Sequence, residues 1–223
     1  MGFNAVTRVD DLVRIRSVIV SVYDKTGLEG FLVRVLGACP GVRFYATGGT
    51  YQFISGLLGE RSGAHLVKMS DYTRQPEMKG GLVKTLDWRI YLGLLAEPYD
   101  EDHEADLRRH DAVAFDMVVG NLYAFGQAAE TAAGFEEARQ HIDIGGPCMI
   151  RAAAKNFLRV AAVPGPDLYD QVDDALERGK GALRLEDRAR LAGEVFRRQA
   201  QYDAAVADFF VGKGASLLPS SYR

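Results

Sequence analysis

The apolar positions of the first seventy residues fall into short runs separated by polar loops. Ser17 to Val22 (SVIVSV) is a block rich in β-branched residues and predicts a buried strand. The turn Asp24-Lys25-Thr26-Gly27 follows, and from Leu28 to Leu36 the apolar positions take helical spacing. Val42 to Ala46 predicts a second strand, the loop Thr47-Gly48-Gly49-Thr50 ends it, and Tyr51 to Leu58 predicts a second helix. His65 to Lys68 reads as a short strand and Ser70 to Leu86 as a loop. Strand, loop and helix in regular alternation predict a parallel sheet with helices on its faces.

The rhythm continues downstream. Asp116 to Val119 predicts a central strand, Phe135 to Gln140 a helix, and Pro147 fits the first turn of a helix that runs through Arg151–Ala154. Arg159 to Val163 returns to strand and is stopped by Pro164-Gly165-Pro166. Leu168 to Phe210 predicts two amphipathic helices divided by Gly179-Lys180-Gly181. The expected organisation is a leader over residues 1–15, one α/β domain over 16–213, and a loose tail over 214–223.

Composition narrows the classes of function. With 223 residues and 48% hydrophobic content the chain can build a substantial core. A net charge of −3 argues against a nucleic-acid or anionic-membrane partner. No apolar run approaches the ~18 residues that span a bilayer. Cys39 and Cys148 form no CxxC pair, which predicts reduced thiols and a cytoplasmic location, with Cys148 as core filler. The four histidines sit in no metal-ligand pattern, and the Walker, Rossmann and GxSxG motifs do not occur.

Candidate chemistry lies in the loops that follow the strands, where open α/β sheets bind ligands. Ser21, Lys25, Thr26, Thr47, Gly48, Gly49 and Thr50 combine a cation, hydroxyls and backbone amides that suit a phosphate. Tight turns use the same residues. Lys84 and Thr85, Tyr123, Asp143 and Lys155 suit proton transfer on a neutral, nitrogen-rich substrate if the fold brings them together. Each also has an ordinary reading as a solvated lysine, a core aromatic or a helix cap.

The blocks SVYDKTG, ATGGT, SDYTRQPEMKGGLVKTL, NLYAF, IDIGGPCMIRAAAKN and RRQAQYDAAVADFF resemble, in this order, the IMP cyclohydrolase domain of the bifunctional AICAR transformylase/IMP cyclohydrolase family. The likeness runs from about Arg16 to Phe210. It implies a free-standing cyclohydrolase domain with a three-layer, parallel-sheet, methylglyoxal-synthase-like (Rossmann-like) fold and C-terminal helices. The implied reaction closes the six-membered ring of the formylated aminoimidazole carboxamide ribonucleotide (FAICAR) to give IMP and water, with no cofactor and no metal. By motif, Asp143 is the base or carboxamide orienter, Lys84 and Lys155 polarise the formyl oxygen, and Tyr123 fixes the intermediate. Ser21, Lys25, Thr26, Thr47, Gly48, Gly49 and Thr50 hold the 5′-phosphate, while Thr85, Asn121, Ile144 and Gly145 line the base. The resemblance leaves room for a homodimer and for a separate transformylase partner.

Six positions depart from the family's pattern. Tyr23 replaces a serine in the phosphate loop, Arg74-Gln75 a Gly-Phe pair, Leu82 an arginine, and Asp87-Trp88 a His-Pro pair. Leucine cannot make the bidentate contact of an arginine. These changes keep open a diverged enzyme that performs the same closure on a purine analogue in specialised biosynthesis. A nucleotide-binding domain without turnover is the alternative from another class.

Overall fold

The computed structural model describes residues 6–75, 84–121 and 125–221. Tyr123 and Leu82 lie outside them. In chain order the described strands are β1 (Leu12–Arg14), β2 (Ser17–Ser21), β3 (Arg43–Ala46), β4 (Leu66–Lys68), β5 (Met117–Gly120), β6 (Ala161–Val163) and β7 (Ala182–Arg184). The helices are α1 (Leu28–Ala38), α2 (Gly48–Leu58), α3 (Ser62–His65), α4 (Met69–Thr73), α5 (Trp88–Leu95) and α6 (Glu101–Arg109), then α7 (Phe125–Thr131), α8 (Phe135–Gln140), α9 (Gly145–Lys155), α10 (Tyr169–Arg178), α11 (Leu185–Val211) and α12 (Lys213–Ser221).

Five strands form one parallel sheet in the order β4-β3-β2-β5-β6. The register follows from strands buried on both faces. Val18 and Val20 of β2 point into one core with Phe44, Ala46, Met117 and Val119, against α1, α2 and α10. Ile19 points into the other with Tyr45, Val118 and Ala162, against α5, α9 and α11. A one-residue slip would exchange these faces, so the pairing Val18↔Phe44 and Val18↔Met117 is strongly specified. The three-layer α/β architecture is the one expected from the sequence.

Chain order reverses between β2 and β5. From β2 the chain steps outward to β3 and β4, then returns to the other side of β2. The gap at the carboxyl ends of these two strands is the switch point where such sheets bind ligands.

Three expectations need correction. Part of the expected leader is structured: β1 pairs antiparallel with β7, Leu12 opposite Arg184. The expected loose tail contains α12, and Leu217 on that helix packs with Phe125, Phe135 and Phe209 in a third apolar cluster. Residues 70–73 belong to α4, with Tyr72 buried beside Tyr45 and Phe115. The β1–β7 pair is anchored by Arg188, which is fully buried. Its guanidinium donates to the carbonyls of Asp10, Asp11, Phe157, Leu158 and Leu183. Among the described residues, no helix is long and apolar enough to cross a membrane.

Candidate functional site at the sheet switch point

The loop leaving β2 is held from three directions. Asn121, just past β5, accepts the amides of Tyr23 and Asp24 at 2.7 and 3.0 Å and donates to the Asp24 carbonyl at 2.6 Å. Thr50 donates its hydroxyl to the Val22 carbonyl at 3.1 Å and accepts the Val22 amide at 3.4 Å. Asp24 accepts the Thr26 amide at 2.8 Å, and its hydrogen bonds to Thr26 hold its carboxyl below the usual range. Asn121 and Thr50, expected to touch base and phosphate, therefore spend polar atoms on shaping the loop. Lys25 donates to the Tyr23 carbonyl at 3.4 Å.

The TGGT loop opens α2 earlier than predicted, at Gly48, with Thr47 in extended backbone before it. Gly48 has φ +46°, and a Cβ there would lie 3.0 Å from the Lys84 Nζ. Glycine therefore serves both the turn and the approach of the ammonium. Lys84 stands over this cradle, where the positive end of a helix already favours an anion. Ser21, at the end of β2, pairs with Gly120 across the switch point.

On the other side lies the run IDIGGP. Asp143 turns its carboxylate back onto the start of α9, accepting the Gly146 amide at 3.1 Å. A Cβ on Gly146 would meet Asp143 Oδ2 at 2.5 Å, and one on Gly145 would meet Thr85 Oγ1 at 2.7 Å. The two glycines thus make space for a carboxylate and a hydroxyl. Burial raises the Asp143 carboxyl above its ordinary value, opposed by the hydrogen bonds from the Gly146 and Gly145 amides. Lys84 and Thr85, adjacent in sequence, connect the TGGT cradle to this turn.

Not all expected residues converge. Lys155 is the last residue of α9, and ten residues of helical rise put it roughly 15 Å from Gly145. Within one chain it does not reach Asp143. Ile144 is 58% exposed. Asp87, a suspected pocket change, is the cap of α5 and accepts the Arg89 amide at 2.8 Å. Trp88 is 62% exposed and sits edge-on to His110. Cys148 is exposed rather than core filler, while Cys39 is buried.

The structure also adds residues. Tyr202 of α11 accepts the Asp143 backbone amide through its hydroxyl at 2.7 Å, fixing the turn from 59 positions away. Its block, RRQAQYDAAVADFF, is visible in the sequence, but nothing in the spacing says where the phenol points. Gly146 is the other addition, since its missing side chain is what seats Asp143.

An MGS-like domain model matches residues 33–148, and a model described as AICARFT/IMPCHase bienzyme matches residues 153–222. The chain belongs to this family. The bifunctional purine biosynthesis protein PurH of Mesorhizobium japonicum is 40% identical over 90% of this chain, and that of Rhodopirellula baltica 41% over 92%. The chain spans 36% and 38% of the lengths of those relatives. A crystal structure of ForH superposes with a TM-score of 0.73 at 32% identity, covering 88% of this chain and 99% of that one.

Proposed function

We propose that the protein is a cyclohydrolase that closes the ring of FAICAR to give IMP and water. The observation that carries this reading is the desolvated Asp143 carboxylate on the first amides of α9, across from Thr85 and near the cradle over which Lys84 stands. The ribonucleotide phosphate sits on the Thr47–Thr50 and Tyr23–Gly27 loops. The carboxamide nitrogen attacks the formyl carbon as its proton passes to Asp143. The formyl oxygen takes a proton; the resulting hydroxyl takes a second proton, from Asp143, and leaves as water while the formamide nitrogen gives up its N–H proton to the deprotonated donor and the C=N bond forms. Positioning and proton transfer suffice for such a closure.

Lys84, lying against Gly48, serves the phosphate in this reading. The donor to the formyl oxygen is then Lys155, which can meet Asp143 only from a second copy of the chain. A homodimer follows as part of the proposal. The first test is a spectrophotometric assay with FAICAR, following the purine absorbance, with Lys155→Ala as control. Mixing Asp143→Asn with Lys155→Ala tests the dimer, since random pairing rebuilds about a quarter of the sites. Inactivity of folded wild-type protein refutes the reaction, and inactivity of the mixture refutes sharing of the site.

One observation favours a second reading, closure on a purine analogue. Tyr23, where the family has serine, is 58% exposed on the phosphate loop. Asp87 and Trp88 lend that reading no support, because one caps a helix and the other faces outward.

A further inference from the structure

Ring closure on FAICAR builds negative charge on the carboxamide oxygen as the carboxamide N–H proton passes to Asp143. Lys84 serves the phosphate and Lys155 the formyl oxygen, so this charge has no partner in that reading. A fixed donor beside the oxygen would stabilise the charge where it develops. Most polar groups near the turn are spent. Asn121 clamps the Tyr23–Asp24 turn, and the Gly145 and Gly146 amides hold the Asp143 carboxylate. Two hydroxyls remain, that of Thr85, which lies against Gly145, and that of Tyr202.

Tyr202 is the better placed of the two, because its oxygen touches Asp143 itself. Its ring belongs to the third apolar cluster and stands edge-on to Phe125 at 6.3 Å. Its Oη accepts the Asp143 amide at 2.7 Å in a half-buried contact. A phenol that accepts a hydrogen bond still has one proton to donate. Among the described residues that proton has no acceptor. Tyr202 also lines the cavity of about 750 Å³ at the switch point, with Asp24, Lys25 and Asn121. Burial raises the phenol above its ordinary value against the hydrogen bond from the Asp143 amide, and the Asp143 and Asp203 carboxylates add to the rise. The proton is therefore kept at neutral pH.

We propose that Tyr202 is a further catalytic residue of this closure, donating a hydrogen bond to the carboxamide oxygen that becomes the ring carbonyl of the product. The phenol keeps its proton throughout, while Asp143 takes the one from the carboxamide nitrogen. The two residues thus address the two ends of one amide. The proposal rests on the cyclisation reading.

Isothermal titration of the whole chain with IMP and with 6-thio-IMP tests it, on wild type, Tyr202→Phe and Thr85→Val. The thio analogue keeps the ring N–H that faces Asp143 and replaces the oxygen by sulfur, a weak acceptor. Wild type should favour IMP. Tyr202→Phe should weaken IMP about tenfold and the thio analogue by less than about twofold. Its kcat for FAICAR should fall roughly 10²-fold. Equal weakening of both nucleotides would mean that the phenol only props the Asp143 turn, and overturns the proposal. Loss of the preference in Thr85→Val but not in Tyr202→Phe overturns it as well, by giving the donor role to Thr85. Equal affinity of wild type for the two nucleotides overturns it without any variant. Wild type that binds neither nucleotide overturns the cyclisation reading too, whereas an IMP preference untouched by Tyr202→Phe overturns this proposal alone.

Discussion

Gly146→Ala separates the chemistry of the Asp143 turn from its stability. The added Cβ would lie 2.5 Å from Asp143 Oδ2, whereas ordinary contact begins at 3.4 Å, so the carboxylate must retreat by about 0.9 Å. The 3.1 Å bond from the Gly146 amide is lost or stretched in the process. A displacement of this size at a reacting group costs on the order of 10²-fold in rate, or about 2.7 kcal/mol of barrier. Stability should move the other way or stay put. Gly146 has ordinary helical backbone in α9, where alanine is better than glycine by up to about 1 kcal/mol. The expected result is a kcat for FAICAR closure lowered about 100-fold, with KM nearly unchanged and Tm unchanged or slightly raised. Steady-state kinetics beside thermal unfolding reads both quantities. A kcat within about threefold of wild type would show that the seat of this carboxylate does not matter to the reaction. A large drop in Tm would show that the glycine serves packing instead.

Other outcomes follow from the same geometry. In the proposed closure Asp143 can take the proton only when ionised, and burial raises its pKa. The rate should therefore fall on the acid side at a higher pH than an ordinary aspartate gives, and a pH–rate profile without that limb would contradict the assignment. Asp173, buried beside Arg34, is pushed up to about 6. Between the ordinary value near 3.8 and about 6 the folded chain keeps a proton that the unfolded chain releases, so this group's contribution to stability falls as pH rises. Urea midpoints across that window should lose this component in Asp173→Asn. Arg188→Met should cost about 3–5 kcal/mol by urea unfolding, because carbonyls now bound by a buried guanidinium lose their donor. A cost below about 1 kcal/mol would mean that relief of the buried charge outweighs those bonds.

Much of the fold is legible in the sequence because strands buried on both faces must be runs of Val, Ile and Ala. SVIVS and MVVG are such runs, and each is followed by a polar loop at the sheet's carboxyl edge. The short β1 and β7 carry no such mark, since they gain their order from pairing across 170 positions. The site divides in the same way. Residue types name the cradle and the Asp143 turn, but not which polar atoms are already spent. Asn121 reads equally well as a ligand to a base or as a clamp on the Tyr23–Asp24 turn, and only its contacts across about a hundred positions decide. The distance between Asp143 and Lys155 is different. Helical rise alone implies that the two ends of α9 stand apart, so the spacing itself carries that information.

The hydrogen bond from Asp143 to Tyr202 also bears on how the molecule is made. Synthesis delivers the β2 and β3 loops first, Asp143 near the middle, and the phenol that fixes its turn only after most of α11 has emerged. A nascent chain that already carries every candidate reacting group therefore lacks the strut that orients one of them. Arg188, on the same helix, ties β1 to β7 at the same late stage. Maturation of the site thereby waits on α11, because its last brace is borrowed from that helix.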